Sequence, residues 1–338
     1  MRKRVAAGVG FAALLFLLVQ LGALALVPTF YAAGYQTVED PTDPTNSLLY
    51  VGAILVATAV MLAAFKYDLD WVVKGFVVLA SASLGWYVFS VALAPLPALV
   101  AAVALAALLV VHPEWYVVDA VGVVMGAGAA GLFGISFGIL PALVLLSVLA
   151  VYDAISVYGT EHMLDLASGV MDLNLPVVLV VPTTLSYSLR EATAEAIDDD
   201  GTDEAAGEDG EGGVDADGAE ENGDGETEKD REGDGAGVRD AFFIGLGDAV
   251  IPTVLVASAA FFLPRSLAPS LGVPGLPTLN LPALTAMLGT FAGLFALLWM
   301  VLKGRAHAGL PLLNGGAIGG YLLGALLAGV PLLRALGL

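Results

Sequence analysis

The chain has 338 residues, of which 58% are hydrophobic, and its formal net charge at pH 7 is −20. A soluble globular protein of this length needs far more polar surface than this composition supplies, so that class is excluded. The absence of cysteine excludes disulfides, thiolate nucleophiles and cysteine metal sites. The negative charge is local, because residues 191–240 hold 21 of the 33 acidic residues and three basic ones.

Nine continuous apolar runs are long enough to cross a bilayer as helices, which takes roughly 20 residues each. Continuous rather than alternating hydrophobicity favours helices over a β-barrel. The predicted spans cover residues 5–27, 48–65, 72–93, 96–111, 116–137, 139–159, 241–263, 282–302 and 310–330. The sequence therefore predicts an all-α membrane protein with nine transmembrane helices.

The acidic segment divides the predicted membrane region into two unequal parts. Residues 1–190 form an N-terminal bundle of six helices, and residues 241–338 form a C-terminal bundle of three. Residues 191–240 are rich in Gly, Asp and Glu and poor in hydrophobic residues, which predicts a disordered loop. The acid excess, together with only five lysines in the chain, suggests the salt-rich cytoplasm of a halophilic organism.

The basic residues predict the orientation of the chain in the cell membrane. With a cytoplasmic N-terminus and nine spans, eleven of the thirteen basic residues lie on the cytoplasmic side, as the positive-inside rule requires. These eleven are Arg2, Lys3, Arg4, Lys66, Lys74, Arg190, Lys229, Arg231, Arg239, Lys303 and Arg305. The acidic loop is then cytoplasmic, the C-terminus is extracytoplasmic, and Arg265 and Arg334 face outward.

Three carboxylates fall within predicted spans, where an ionisable group is costly and marks a functional site by default. Asp119 lies in the first turn of the fifth span, and its role is left open between structural and interfacial. Asp153 lies about six residues from the cytoplasmic end of the sixth span, and Asp248 about seven residues into the seventh. At 1.5 Å per residue both lie about 10 Å below the cytoplasmic surface, so we expect them to meet.

Two neighbouring carboxyl groups can hydrolyse a peptide bond without a metal or a nucleophilic side chain. Since two close acids do not both ionise readily, they share one proton and titrate as a unit. The ionised group can activate a water molecule while the protonated group donates to the scissile carbonyl oxygen. Gly245 and Gly247, just before Asp248, would let an extended substrate strand approach the acid closely, although helix packing by small residues is the alternative.

In these motifs the chain resembles the presenilin and signal peptide peptidase family, most closely its archaeal members. The resemblance rests on Tyr152-Asp153 in the sixth span, on Gly245-Leu246-Gly247-Asp248 in the seventh, and on Leu310-Pro311 opening the ninth. It implies an intramembrane aspartyl endopeptidase with Asp153 and Asp248 as the catalytic residues. The other motif residues would support the site.

One motif departs from the family pattern, which at the ninth span is Pro-Ala-Leu. Here the corresponding residues are Ala308, Gly309 and Leu310, followed by Pro311. The resemblance implies that Gly309, Leu310 and Pro311 still shape the active site. The stretch from Pro311 to Gly316 is expected to open the ninth span as a broken helix, with Gly315 and Gly316 as gates together with Gly245 and Gly247.

Other functional classes remain as alternatives. Acids at membrane depth also occur in ion or proton-coupled transporters, and prepilin-type peptidases carry a GxGD motif too. The motif GxSxG at Gly134–Gly138 has no histidine placed to serve it, so a serine hydrolase is not expected. The protease interpretation predicts transmembrane peptide substrates in a lipid bilayer. It predicts no cofactor, metal, nucleic acid or obligatory accessory subunit.

Overall fold

The computed structural model describes residues 2–67, 69–159, 178–182, 187–189, 241–303 and 308–338. The predicted disordered loop at 191–240 lies outside the described residues, as do His162, Arg190, Arg305 and His307. The helices are α1 (Arg2–Ala32), α2 (Thr45–Lys66), α3 (Asp70–Phe89), α4 (Pro95–Val111), α5 (Trp115–Ser136), α6 (Ile139–Gly159), α7 (Leu246–Phe262), α8 (Leu281–Val301), α9 (Gly309–Leu327) and the short α10 (Leu332–Ala335). Two strands, β1 (Val178–Pro182) and β2 (Ala241–Gly245), pair antiparallel.

The predicted all-α membrane fold is confirmed. Within the described residues, seven helices are long and apolar enough to cross a membrane, and α4 and α7 are shorter apolar helices. Most predicted span edges agree with the helices to within a few residues. The exception is the seventh span, which was predicted as a helix from residue 241.

The first five residues of that span form β2 instead of a helix. Two aromatic residues and an isoleucine favour an extended chain, and β1 supplies a partner made mainly of valine. β1 gives only a weak signal in the sequence, a short run of β-branched residues between Pro176 and Pro182. Asp248 therefore lies in the first turn of α7 rather than seven residues into a helix.

The core lies where α1, α5, α6, α7, α8 and α9 pack together, and α2, α3 and α4 are peripheral. The closest contact joins α8 to α9, where glycines face each other across the interface. A Cβ at Gly289 would overlap the Gly316 carbonyl, and one at Gly293 would overlap the Leu312 carbonyl. Small residues let membrane helices pack backbone against backbone in this way.

Candidate active site

Asp248 lies just after the junction of β2 and α7. Strand β2 ends at Gly245, α7 begins at Leu246, and Asp248 is its acidic first-turn residue. A carboxylate in the first turn interacts favourably with the positive end of the helix dipole. Leu246 packs into the core, whereas Gly245 and Gly247 are exposed beside the acid. The short GxGD segment thus anchors the start of α7 while leaving its backbone accessible.

Asp153 lies near the C-terminal end of α6 and faces the bundle interior, with 7% of its surface exposed. Its neighbours point outward, since Val151, Tyr152 and Ile155 are all exposed. Tyr152 therefore lies beside the buried acid, on a face that lipid or substrate can reach.

The N-terminus of α9 binds the Asp153 carboxyl group. The Leu310 amide donates a hydrogen bond to Asp153 Oδ2 at 3.0 Å, and the Gly309 amide is also directed at this carboxyl group. The first amides of a helix have no partner within the helix, so they form a ready site for an anion. The Ala308–Pro311 segment thereby fixes the orientation of Asp153.

Gly309 also contacts Asp248. A Cβ added to Gly309 would lie 3.1 Å from Asp248 Oδ2 and 3.3 Å from Oδ1. Because the Leu310 amide binds Asp153, the two carboxyl groups lie beside consecutive residues at the start of α9. Spans six, seven and nine thus converge on one point, with Gly309 between the acids.

The broken-helix interpretation of residues 311–316 is wrong, because α9 is helical from Gly309 onward. Pro311 falls in the first turn, where a missing amide costs no intrahelical hydrogen bond. Gly316 packs against the Gly289 backbone, so the space beside it is filled. Gly315 has open space around it.

Asn314 is a supporting residue outside the sequence motifs. It is fully buried, and its Nδ2 donates to the Leu146 carbonyl of α6 at 2.9 Å. This hydrogen bond joins α9 to α6 one turn beyond Leu310. A lone asparagine in a Leu-rich and Gly-rich span was the available signal, because a buried amide needs a partner.

Asp119 is buried against β1 and accepts a hydrogen bond from the Val180 amide at 2.7 Å. Of the two roles left open, the structure favours the structural one. The serine of the GxSxG motif, Ser136, is also buried, and its Oγ accepts hydrogen bonds from Thr37. No cluster of three or more metal-ligating side chains occurs within the described residues.

Comparisons with known proteins agree with this geometry. Residues 13–330 match the family model described as signal-peptide peptidase, presenilin aspartyl protease. A solved structure of a presenilin family intramembrane aspartate protease in space group C222 is 31% identical, with a TM-score of 0.60 over 94% of this chain and 99% of that chain. A second, in space group P2, is also 31% identical, with a TM-score of 0.57 over 93% of this chain and 96% of the other. No curated protein matches.

The matched region covers nearly the whole chain, including all three elements that meet at Asp153 and Asp248. The protease interpretation is thus confirmed over the transporter and over the prepilin-type peptidase. The chain belongs to the signal-peptide peptidase and presenilin family and is an integral membrane aspartyl protease that acts on transmembrane substrates.

Proposed function

We propose that Asp153 and Asp248 are the catalytic pair of this protease. The position of Gly309 carries the proposal, because its amide is directed at Asp153 and a Cβ on it would lie within 3.3 Å of both oxygens of Asp248. A structural role would not require two costly acids to be held together at one helix start. The GxGD and Tyr-Asp motifs are then the two halves of the active site, with Tyr152 and Leu310 in supporting positions.

The reaction follows from one proton shared between the two carboxyl groups. The ionised carboxylate takes a proton from a water molecule, whose oxygen attacks the scissile carbonyl carbon. The protonated carboxyl group donates to the carbonyl oxygen, which gives a neutral tetrahedral diol. Collapse of the diol, with proton transfer to the amide nitrogen, breaks the C–N bond and releases an acid and an amine.

The substrate helix must unwind at the cleavage point, since a hydrogen-bonded helix withholds its carbonyl groups. Strand β2 offers a place for the extended segment. β1 packs on α5 and α1, whereas the main neighbours of β2 among the described elements are β1 and the start of α7. An edge strand pairs readily with another extended chain. Phe243 and Gly245, both exposed, would lie beside that chain and lead it toward Asp248.

The setting of the reaction is part of the proposal. We propose nine spans in the cell membrane, a cytoplasmic N-terminus and 191–240 segment, and an extracytoplasmic C-terminus, on the charge asymmetry of the loops. The acidic composition favours a halophilic, archaeal source. The 1–190 and 241–338 bundles both contribute to the site, and we expect activity without an accessory subunit.

Binding of a transition-state analogue tests the proposed pair directly. A transmembrane peptide with a hydroxyl-bearing isostere at the scissile bond mimics the diol and should bind far more tightly than the parent peptide. The measurement is photo-crosslinking of the analogue to the purified protein in vesicles, with the parent peptide as competitor. We expect Asp153→Asn and Asp248→Asn each to weaken capture. Equal capture by wild type and both variants would contradict the proposal.

A further inference from the structure

Asp119 is a buried carboxylate that the proposed chemistry does not use. It lies near the start of α5, 3% of its surface is exposed, and its Oδ1 accepts from the Val180 amide at 2.7 Å. Its Oδ2 is buried, and none of the described residues forms a hydrogen bond with it. A carboxylate in such a place is expensive, so its contact with β1 needs an explanation.

This hydrogen bond satisfies the Val180 amide, which lies on the edge of β1 that faces away from β2. In an antiparallel pair, successive amides point alternately toward and away from the partner strand. Val180 lies opposite Phe243 of β2, and its amide turns to α5 instead. An unpaired strand amide in a membrane protein is costly, which gives Asp119 a clear preference for this position of β1.

The sequence of β1 sharpens that preference. A slip of β1 by one residue would turn the amide away from Asp119 and move buried side chains to the opposite face. A slip by two residues in one direction would bring Pro182 to Asp119, and proline has no amide hydrogen. Asp119 therefore disfavours a one-residue slip of β1, and Pro182 disfavours a two-residue slip in one of the two directions.

A second carboxylate on the same helix end holds the chain beyond β1. Glu114 Oε2 accepts from the Leu189 amide at 3.2 Å, and Oε1 accepts from Ser188 Oγ at 3.0 Å. The start of α5 thus binds the chain at two points, Val180 and Leu189. Both contacts are made by carboxylates.

We propose that Asp119 is a positioning residue for proteolysis, which sets the register of β1 against α5 and so holds its partner β2 in place beside the active site. The inference rests on the proposed pair, because β2 ends at Gly245, three residues before Asp248. If a substrate strand pairs with β2, the position of β2 decides which peptide bond reaches the acids. β2 is joined to Asp248 through Leu246 and Gly247, so a β1 that loses its contact with α5 would leave the rest of β2, and a strand paired with it, less firmly placed.

The test compares Asp119→Leu, which is similar in size and lacks the acceptor, with Asp119→Asn, which keeps an oxygen for the Val180 amide. Each purified variant in vesicles is given a transmembrane peptide, and the products are identified by mass spectrometry. We expect the Leu variant to lose about tenfold in kcat with a smaller change in KM, as for a lost charged hydrogen bond. We also expect its cleavage positions to spread, and the Asn variant to restore the wild-type pattern.

Ser47→Ala is the matched control for loss of a buried tertiary hydrogen bond. Ser47 Oγ donates to the Pro141 carbonyl at 2.6 Å, between α2 and α6. We expect this variant to lose thermal stability and to keep the wild-type cleavage positions. An altered pattern in Ser47→Ala would show that the pattern reports general destabilisation, and would overturn the inference.

The rate of amide hydrogen exchange at Val180 tests the hydrogen bond to Asp119 independently of proteolysis. Faster exchange in the Leu variant than in the Asn variant supports the contact, and equal exchange contradicts it. Wild-type positions and rates in the Leu variant would overturn the inference and leave the catalytic pair standing. Absence of cleavage by the wild type would instead overturn the proposed function, and the exchange data would still decide the contact.

Discussion

Of the three glycines beside Asp248, which are Gly245, Gly247 and Gly309, Gly309 has the least room for a side chain. Its absent Cβ would sit 3.1 to 3.4 Å from the Asp248 carboxyl atoms, so alanine demands a shift of a few tenths of an ångström. A branched side chain demands much more. The size of residue 309 thus governs where Asp248 can lie.

We expect Gly309→Ala to retain activity within about tenfold of wild type and Gly309→Val to lose at least about 100-fold, because a misplaced reacting group is costly. The measurement is kcat/KM on a labelled transmembrane peptide. Gly319→Val, at an exposed position of α9 with open space, is the control and should keep wild-type activity. Comparable activity of Gly309→Val and Gly319→Val would refute the crowding argument.

The shared proton predicts the pH dependence of the reaction. Activity requires one proton on the pair, so kcat should fall at low pH, where both carboxyl groups are protonated, and at high pH, where both are ionised. A bell-shaped profile in vesicles of fixed composition is the expected result. A rate that rises with pH to a plateau would indicate a single base instead.

The two helix pairs that position the active site, α8–α9 and α9–α6, are held together by different interactions. α8 and α9 meet backbone to backbone through glycines, whereas α9 and α6 are joined by the Asn314 hydrogen bond. The α8–α9 contact tolerates no added atom. We therefore expect α9 to be rigid and to hold Gly309 and Leu310 in fixed positions.

Gly316→Ala tests how firmly α9 is packed against α8. The new Cβ would overlap the Gly289 carbonyl, and we expect a loss of about 2 kcal/mol or more in the free energy of unfolding, as in overpacked interiors. Thermal or denaturant unfolding in detergent provides the measurement. Gly319→Ala, one turn away in open space, should be close to neutral. Similar stabilities for the two variants would show that the interface can spread apart.

The helices could be predicted because continuous apolar runs have one stable form in lipid. β1 and β2 could not, since five-residue strands give a weak pattern and β2 is continuous with an apolar helix. The equal predicted depth of Asp153 and Asp248 below the cytoplasmic surface indicates that they meet, although residues 241–245 form a strand and not the predicted helix. The site residues agree with the motifs, but the contacts of Asn314 and Asp119 depend on tertiary packing that no local pattern encodes.

The orientation of the whole molecule is a separate prediction, and the absence of cysteine makes it easy to measure. Thr42→Cys lies in the exposed α1–α2 connection and Lys303→Cys at the exposed end of α8. A membrane-impermeant maleimide should label the first in intact cells, and the second only after permeabilisation, if the N-terminus is cytoplasmic. The reverse pattern would invert the proposed topology.

If Asp153 and Asp248 together hydrolyse the peptide bond, the cleavage rate of variants that keep the shape of each acid should show it. Purified wild type should cleave a transmembrane peptide in vesicles, and Asp153→Asn and Asp248→Asn should each lose at least about 100-fold in kcat. Asp40→Asn, at an exposed loop acid that accepts hydrogen bonds from Thr42, should retain the wild-type rate. Cleavage that persists in either dyad variant at the rate of Asp40→Asn would contradict the account.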